Sequence, residues 1–512
     1  MQRQIIPVKL RRCGSSLLFV AAIAATLGSD RLAHAEQMLA GVAKIDITNL
    51  EAGPVNDRLH VRALVLKSGA TLATIVTLDV VAIGEIGSIK NDFLGNVRSQ
   101  VLEELGILPA NVIVNASHCH GIPCQDVAER TILAIRQATQ NLVPVNIGVG
   151  HGHEDRIMEN RRLKLKNGKE IDVRHAYSMP RDEDVAEIGP IDPDIGVLRL
   201  NRQDGTPLAV VYTFACHPIQ GVPNGGNTAD ITGFSSSVIE DNLGADVVAL
   251  FVQGCGGDIN PAFYKEMNLP RDAEPLGNIL GLSTLKAVRK IECRNDNRLS
   301  VLNEVIKVPR ADLAERITAM DAERNRLLRS LGGTTLNLKS FLPLMMKYQL
   351  DPEFPSYYSH SYLNEAKIGR TNLTKLDANN RAAMKQYIGN IQTMEKLTRL
   401  QTNLKLLEKH QASYVAAGKR TIDVEVAALR IGDFTMVTFP GELVVQIGLN
   451  LKKASPHQHT FVAGYTNGYI YYCPTAEQLR NVGNAQEDSD CMVAPEWQKV
   501  FEGKALEMLG KL

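Results

Sequence analysis

Leu208-Ala209-Val210-Val211-Tyr212-Thr213-Phe214 runs directly into Ala215-Cys216-His217-Pro218. Seven uncharged residues rich in β-branched and aromatic types describe a strand buried on both faces, as in a sheet covered by helices. The run ends on a histidine at the point where strand passes into loop, which is where α/β proteins usually carry functional residues. Val145 to Gly150, Gly196 to Leu200 and Val247 to Gln253 read as further buried strands. Gly41 to Thr48 alternates apolar and polar residues, Arg62 to Lys67 and Leu72 to Val81 are β-rich, and Asn111 to Asn115 is a short strand. Ile86 to Leu105 and Gln125 to Leu142 carry helical periodicity. Strands alternating with helices predict an α/β fold, a layered body on a mixed sheet.

From Ala311 to about Lys419 the β-rich runs disappear and Leu, Lys, Arg and Met dominate, so a helical insertion is expected at about 311–419. Within it, Phe341-Leu342-Pro343-Leu344-Met345-Met346 suits either the packing of an inserted helix pair or a lid over an apolar substrate. Thr421 to Phe439 returns as two strands joined near Gly432-Asp433, and Leu443 to Lys453 is helical. The remainder reads as loop-rich.

The 512 residues hold 56 Lys+Arg against 56 Asp+Glu, with 44% apolar and 22% charged residues. That composition excludes a disordered tail, a collagenous chain and a small disulfide scaffold. Zero net charge without a long basic run removes the electrostatic basis of nucleic-acid binding, so no nucleic-acid partner is expected. At the N-terminus, Arg3, Lys9, Arg11 and Arg12 precede an apolar stretch from Leu17 to Leu27 and the small-x-small site Ala33-His34-Ala35. Residues 1–35 therefore read as a signal peptide cleaved before Glu36, leaving a catalytic domain at 36–512 that is exported, periplasmic or secreted. No later stretch approaches about 18 apolar residues, so no transmembrane anchor is expected after cleavage. Seven cysteines would remain, with no CxxC pair, and export would allow disulfides, Cys473 with Cys491 first among them.

Three strand ends carry zinc-type ligands. The Asn111 to Asn115 strand leads into Ala116-Ser117-His118-Cys119-His120-Gly121, the opening run ends on His217, and Phe439-Pro440-Gly441 delivers Glu442 at the head of a helix. Catalytic zinc needs three or four N, O or S ligands and an open position for water. Taken singly, each residue has a bland reading, Glu442 as a helix N-terminal charge for example. Asp258, in the turn Gly254-Cys255-Gly256-Gly257-Asp258, and Asp230 can each orient a histidine ligand from behind or form a local Asx turn. The turn lacks the Gly-Lys-Ser/Thr ending of a phosphate loop, and Gly233-Phe234-Ser235-Ser236-Ser237 fails the nucleophile-elbow pattern at its last position. The Asp-His pair that follows H-x-H in metallo-β-lactamase-like hydrolases is missing.

Read together, Ala116 to Gly121, Asn160-Arg161, Asp192-Pro193-Asp194-Ile195-Gly196-Val197-Leu198, Ala215 to Pro218, Gly257-Asp258-Ile259-Asn260-Pro261, Phe439 to Glu442 and Asn467-Gly468-Tyr469-Ile470-Tyr471-Tyr472 resemble the neutral/alkaline, non-lysosomal ceramidases. The motifs occur in that family's order from about Gly41 to Tyr472. The resemblance implies a secreted zinc amidase that hydrolyses the N-acyl bond of a ceramide by metal-activated water. It implies one Zn2+ per chain held by His118, His217, Glu442 and Tyr472, with His120 and Arg161 as catalytic residues facing the substrate carbonyl. Tyr469 and Tyr471 stand close to Tyr472, and packing in an aromatic strand is their other reading.

Departures from the family bear on the substrate. This chain reads Gln253-Gly254-Cys255-Gly256 where a Ser-Ser-Asn-type stretch is usual, and Gly483-Asn484-Ala485 where the family carries a further Tyr. An end at Leu512 would leave no room for the family's C-terminal immunoglobulin-like domain. The expected partner is a lipid or other small-molecule substrate: N-acyl sphingosine or a related N-acyl lipid. The alternative is an altered family member acting on another amide or an ester, or serving as a binding protein.

Overall fold

A computed structural model of the chain describes residues 37–173, 180–222, 226–262 and 268–512 except 482 and 484, together with 1, 264 and 266. Residues 2–36, which hold the segment read as a signal peptide, lie outside them. Strands β1 (Leu39–Asp46), β2 (His60–Ser68) and β3 (Thr71–Leu78) form an antiparallel meander, and after helix α1 (Phe93–Leu105) strand β4 (Val112–Ala116) adds parallel to β3. Helix α2 (Val127–Gln140) leads to β5 (Val143–His153). Four short strands follow: β6 (Met158–Asn160), β7 (Arg162–Leu165), β8 (Glu170–Asp172) and β9 (Val185–Ile188). Strand β10 (Asp194–Arg202) then lies antiparallel between β5 and β11 (Pro207–Phe214), and β12 (Val248–Gln253), reached through α3 (Asp230–Leu243), pairs parallel with β11. The eight long strands make one mixed sheet in the order β12-β11-β10-β5-β1-β2-β3-β4. Its middle is thin, because β1 meets β5 only at Leu39↔Pro144 and Ala40↔Val143.

After β13 (Ile259–Pro261) and α4 (Glu274–Val288), strand β14 (Leu299–Pro309) starts a second sheet with β15 (Thr421–Ile431), β16 (Phe434–Thr438) and, beyond the two-residue β17 (Glu442–Leu443) and α9 (Val445–Ala454), β18 (Thr460–Ala463). Between β14 and β15 the chain runs through α5 (Ala314–Ser330), α6 (Leu338–Leu350), α7 (Ser359–Lys367) and α8 (Asn372–Ala417). Strand β19 (Tyr472–Cys473) pairs with β17, and α10 (Ala476–Arg480) and α11 (Trp497–Leu509) complete the chain.

The period of two along the strands explains the layers. Val61, Ala63 and Val65 of β2 face α1 and α2, whereas Leu64 and Leu66 face an inner core. On β12, Ala249 and Phe251 face α3 and α4, and Val248, Leu250 and Val252 turn inward. On β15, Val424, Val426 and Ala428 lie with α9 and α11, and Ala427, Leu429 and Ile431 enter the same inner core. Both halves of the large sheet and the second sheet thus share one apolar interior, each covered outside by helices. The fold is the mixed α/β architecture with a helical insertion that the sequence predicts.

Some local expectations are corrected. The helix expected from Ile86 begins at Phe93, because Glu85 and Gly87 take positive φ of 62° and 73° that no helix accommodates. The β-rich run to Val81 leaves the sheet at Leu78. The end of the chain is not all loop: Trp497, Phe501, Ala505 and Met508 recur at helical spacing on α11 and are fully buried. Cys473 and Cys491 are both free and buried, as are Cys119, Cys216 and Cys255, while Cys124 and Cys293 are free and half-buried.

Candidate metal centre

Three parallel strand pairs end at one place. β3 pairs parallel with β4, β11 with β12 and β16 with β18, and the segments leaving their C-terminal ends carry His118, His217, Glu442 and Tyr465. A crevice at the C-terminal ends of parallel strands is where α/β sheets commonly place ligands. Asn115, the penultimate residue of β4, ties the three ends together. Its amide donates to the Gly464 carbonyl (2.8 Å) and the Thr466 hydroxyl (2.9 Å), and its Oδ1 accepts from the Gln253 N–H (2.9 Å).

His118 has φ 67°. A left-handed non-glycine residue costs about 1–2 kcal/mol and persists only where surroundings enforce it. Here the His118 N–H donates to Val80 O (3.0 Å) and the ring Nδ1 lies 2.6 Å from Val81 O, so the turn leaving β3 fixes both backbone and ring. His217 is held in the same way, its N–H and its Nδ1 each 3.0 Å from Ile259 O. A carbonyl oxygen only accepts, so Nδ1 of each ring carries the hydrogen, and in the neutral ring Nε2 presents a lone pair.

Both lone pairs meet a carboxylate. Glu442 Oε2 stands 3.1 Å from His217 Nε2 and 3.5 Å from His118 Nε2, and the candidate ligand atoms of the three residues lie within 4.8 Å of one another. All three residues are 2% exposed. Burial pulls the His118 imidazole down to about 4, against the opposing pull of Glu442, so the ring is neutral near pH 7. Burial raises the Glu442 carboxyl and the Tyr469 hydroxyl, donating to it, lowers it, and the group lies well below the usual carboxylate range. Glu442 is therefore ionised and also accepts from Tyr469 and Tyr465, the latter at 3.3 Å. Three acceptor atoms converge with no donor hydrogen between them. Two imidazoles and a carboxylate in that disposition fit a divalent cation.

Tyr472 enters from β19, opposite Glu442 in the β17–β19 register, with its ring 6.4 Å from that of His217 and nearly parallel to it. Its hydroxyl accepts from Arg161 Nη2 at 3.2 Å. Arg161 is 1% exposed and so forms no surface salt bridge. Its guanidinium also donates to Glu487 (2.6 Å), Asn260 Oδ1 (2.8 Å) and Gly257 O (2.6 Å). Asn260 Nδ2, the other end of that amide, is buried without a partner among the described residues. His120 is exposed and stands edge-on to His118, centroids 5.6 Å apart, so it lies at the rim. Tyr471 packs away from the cluster on His410, with centroids 4.6 Å apart.

Asp258 and Asp230 do not orient either histidine. Asp258 accepts from the Val445 N–H (2.8 Å), at the start of α9, and from Asn160 Nδ2 (3.0 Å). Asp230, itself at φ 58°, accepts backbone N–H groups of Gln220, Gly221 and Ile231. Each carboxylate answers orphan backbone donors where the chain turns into a helix, and backbone carbonyls orient the histidines instead. Tyr465 and Glu487 are the neighbours sequence reasoning missed. Only the turn chemistry around Gly464 to Asn467 hints at the first, and nothing local marks the second. A cavity of about 1010 Å3, lined by Lys44, Asn141, Arg202, Glu240 and Val248, lies at the end of β12 opposite the histidines and contains none of these residues.

The fold is shared with solved structures. A neutral ceramidase from Pseudomonas aeruginosa superposes with a TM-score of 0.58 at 16% identity, covering 93% of this chain and 75% of that one. A ceramidase complexed with C2 gives 0.59 at 14% identity, with coverage of 93% and 75%. The chain thus has a neutral ceramidase-like fold. No protein-family model and no curated protein sequence matches it.

Proposed function

We propose that the chain is an exported zinc-dependent amidohydrolase of the neutral ceramidase type, cleaving the N-acyl bond of a linear amide such as an N-acyl sphingosine or related N-acyl lipid. One observation carries the reading: His118 Nε2, His217 Nε2 and Glu442 Oε2 converge as buried acceptors with no donor among them. The ceramidase-like fold supports the substrate class. His118, His217, Glu442 and Tyr472 would hold one Zn2+, and zinc there supplies Lewis acidity and a bound water whose pKa falls toward about 7.

The remaining work belongs to the chain. The Val81 and Ile259 carbonyls lock both Nδ1–H groups, so that Nε2 is the ligating atom of each ring. Tyr465 and Tyr469 donate to Glu442 and hold its carboxylate in place. Arg161, paired with Glu487, fixes the Tyr472 oxygen from one side. Asn260 Nδ2 is a donor free to meet bound water or substrate. His120 is accessible at the rim and passes a proton to the leaving amine, a step worth about 10²–10⁴-fold, or about 3–5 kcal/mol.

Metal analysis of the purified protein, coupled to fatty-acid release from a fluorescent ceramide with and without chelator, tests this. About one zinc per chain is expected, with release abolished by chelator and both lost in His118→Ala. Full metal content and activity in His118→Ala would overturn the site. Zinc with release only from other amides would keep the site and replace the substrate.

A further inference from the structure

Helix α6 exposes an apolar stripe. Leu338, Leu342, Met345, Met346 and Leu350, at i, i+4, i+7, i+8 and i+12, are 40–80% exposed. On a 3.6-residue period these side chains span one arc of roughly 140°. Phe341 and Tyr348 lie on the other side and are buried against α8, Phe341 with its ring 4.8 Å from Tyr387 and Tyr348 donating to Asp377. The fold uses that face, so the packing reading of the Phe341 to Met346 run holds for Phe341, while Leu342, Met345 and Met346 point outward. Asp377 also accepts from Tyr362 of α7, which seats α7 beside α6, and Leu363 (61% exposed) stands next to Tyr362.

Charge selects the occupant. Residues 311–419 hold sixteen Lys and Arg against ten Asp and Glu in a chain that is neutral overall. Lys339, inside the arc of the stripe, and Lys347, about 60° beyond its edge, are both exposed on α6 itself. Two copies meeting through this face would bring like charges together.

We propose that α6 is a docking face for an anionic lipid surface, with its aliphatic stripe in the acyl boundary and Lys339 and Lys347 reaching the headgroups. The docking face stands on this geometry, and its use in bringing the metal centre to an aggregated substrate rests on the lipid-amidase reading above.

Flotation of the full chain with ceramide-free vesicles is the test, comparing phosphatidylcholine alone with phosphatidylcholine containing phosphatidylglycerol. The wild type is expected to bind the anionic vesicles and to release as salt rises. Leu342→Glu with Met346→Glu should lower the partition coefficient by about tenfold or more, and Lys339→Gln with Lys347→Gln should flatten the salt dependence. All four positions are exposed, so near-ultraviolet circular dichroism should be unchanged, as should cleavage of a short-chain soluble amide. Failure of the wild type to float, equal flotation by the Glu variant, or a wild-type dimer that the Glu variant splits would each overturn the proposal. Anionic-vesicle binding lost in the Glu variant supports it even if no amide is cleaved, in which case the amidase reading alone fails.

Discussion

Replacing Glu487 by Gln removes one partner of the ion pair that anchors Arg161, and the geometry sets the size of the effect. The Arg161 and Glu487 side chains are each 1% exposed and bonded at 2.6 Å, so the substitution leaves a buried guanidinium without its counter-ion, held only by the neutral Asn260, Gly257 and Tyr472 oxygens. Breaking such a buried pair from one side costs about 3–5 kcal/mol, against a total stability of about 5–15 kcal/mol. For a domain of this size that is a Tm lower by about 3–5 °C. Arg161→Met should cost a similar amount, and the double variant with Glu487→Met less than the sum, with a coupling of about 1–3 kcal/mol. Because Arg161 also holds the Tyr472 oxygen, each single variant should weaken zinc affinity by about 10–100-fold. Calorimetry and metal titration of the four proteins read both effects. A Glu487→Gln protein within about 0.5 kcal/mol of wild type would refute the claim that this pair supports the site.

Three further outcomes follow from the packing and charge distribution. Asp194 faces Lys452 and His151, and although burial opposes them these partners lower its carboxyl to about 2. Its charged form is favoured in the folded state, so its contribution, about 2 kcal/mol, is full above the unfolded value of 3.8 and lost as pH falls through 2. Asp194→Asn should therefore be destabilised relative to wild type at pH near 6 and indistinguishable near 2, as read by urea unfolding. Gly196→Ala would place a Cβ 2.1 Å from the Phe461 ring and 2.6 Å from Thr213 Oγ1, and overpacking of about 1–3 kcal/mol or more should appear as a lowered denaturation midpoint. Trp497→Ala should cost about 3–5 kcal/mol, since the side chain is fully buried against Phe439 and Phe501 and its indole N–H donates to Pro474 O (2.9 Å).

The candidate metal cluster was legible because its signals are local. An uncharged β-rich run that stops on His217, or a short strand passing into Ser117-His118, announces a strand end bearing a ligand wherever that strand sits in the sheet. The conformation of those ends was not legible. Nothing near His118 in the sequence says that its backbone turns left-handed or that Val81, 37 residues earlier, supplies the carbonyl that sets its tautomer. Asp258 and Asp230 looked like partners of the histidines because carboxylates often play that part. In the folded chain they answer backbone donors at α9 and α3, a demand that exists only once the helices are in place.

By itself the sequence determined the layered α/β body, the helical insertion and the three strand ends, because hydrophobic periodicity records which face of each element is buried. Tertiary structure decided everything that depends on pairing across the chain. It joined Arg161 to Glu487 over 326 positions, brought Tyr465 onto Glu442, and buried one face of α6 while leaving the other outward. A period of 3.6 shows that a helix has apolar faces, but only the positions of its neighbours decide which of them the fold covers.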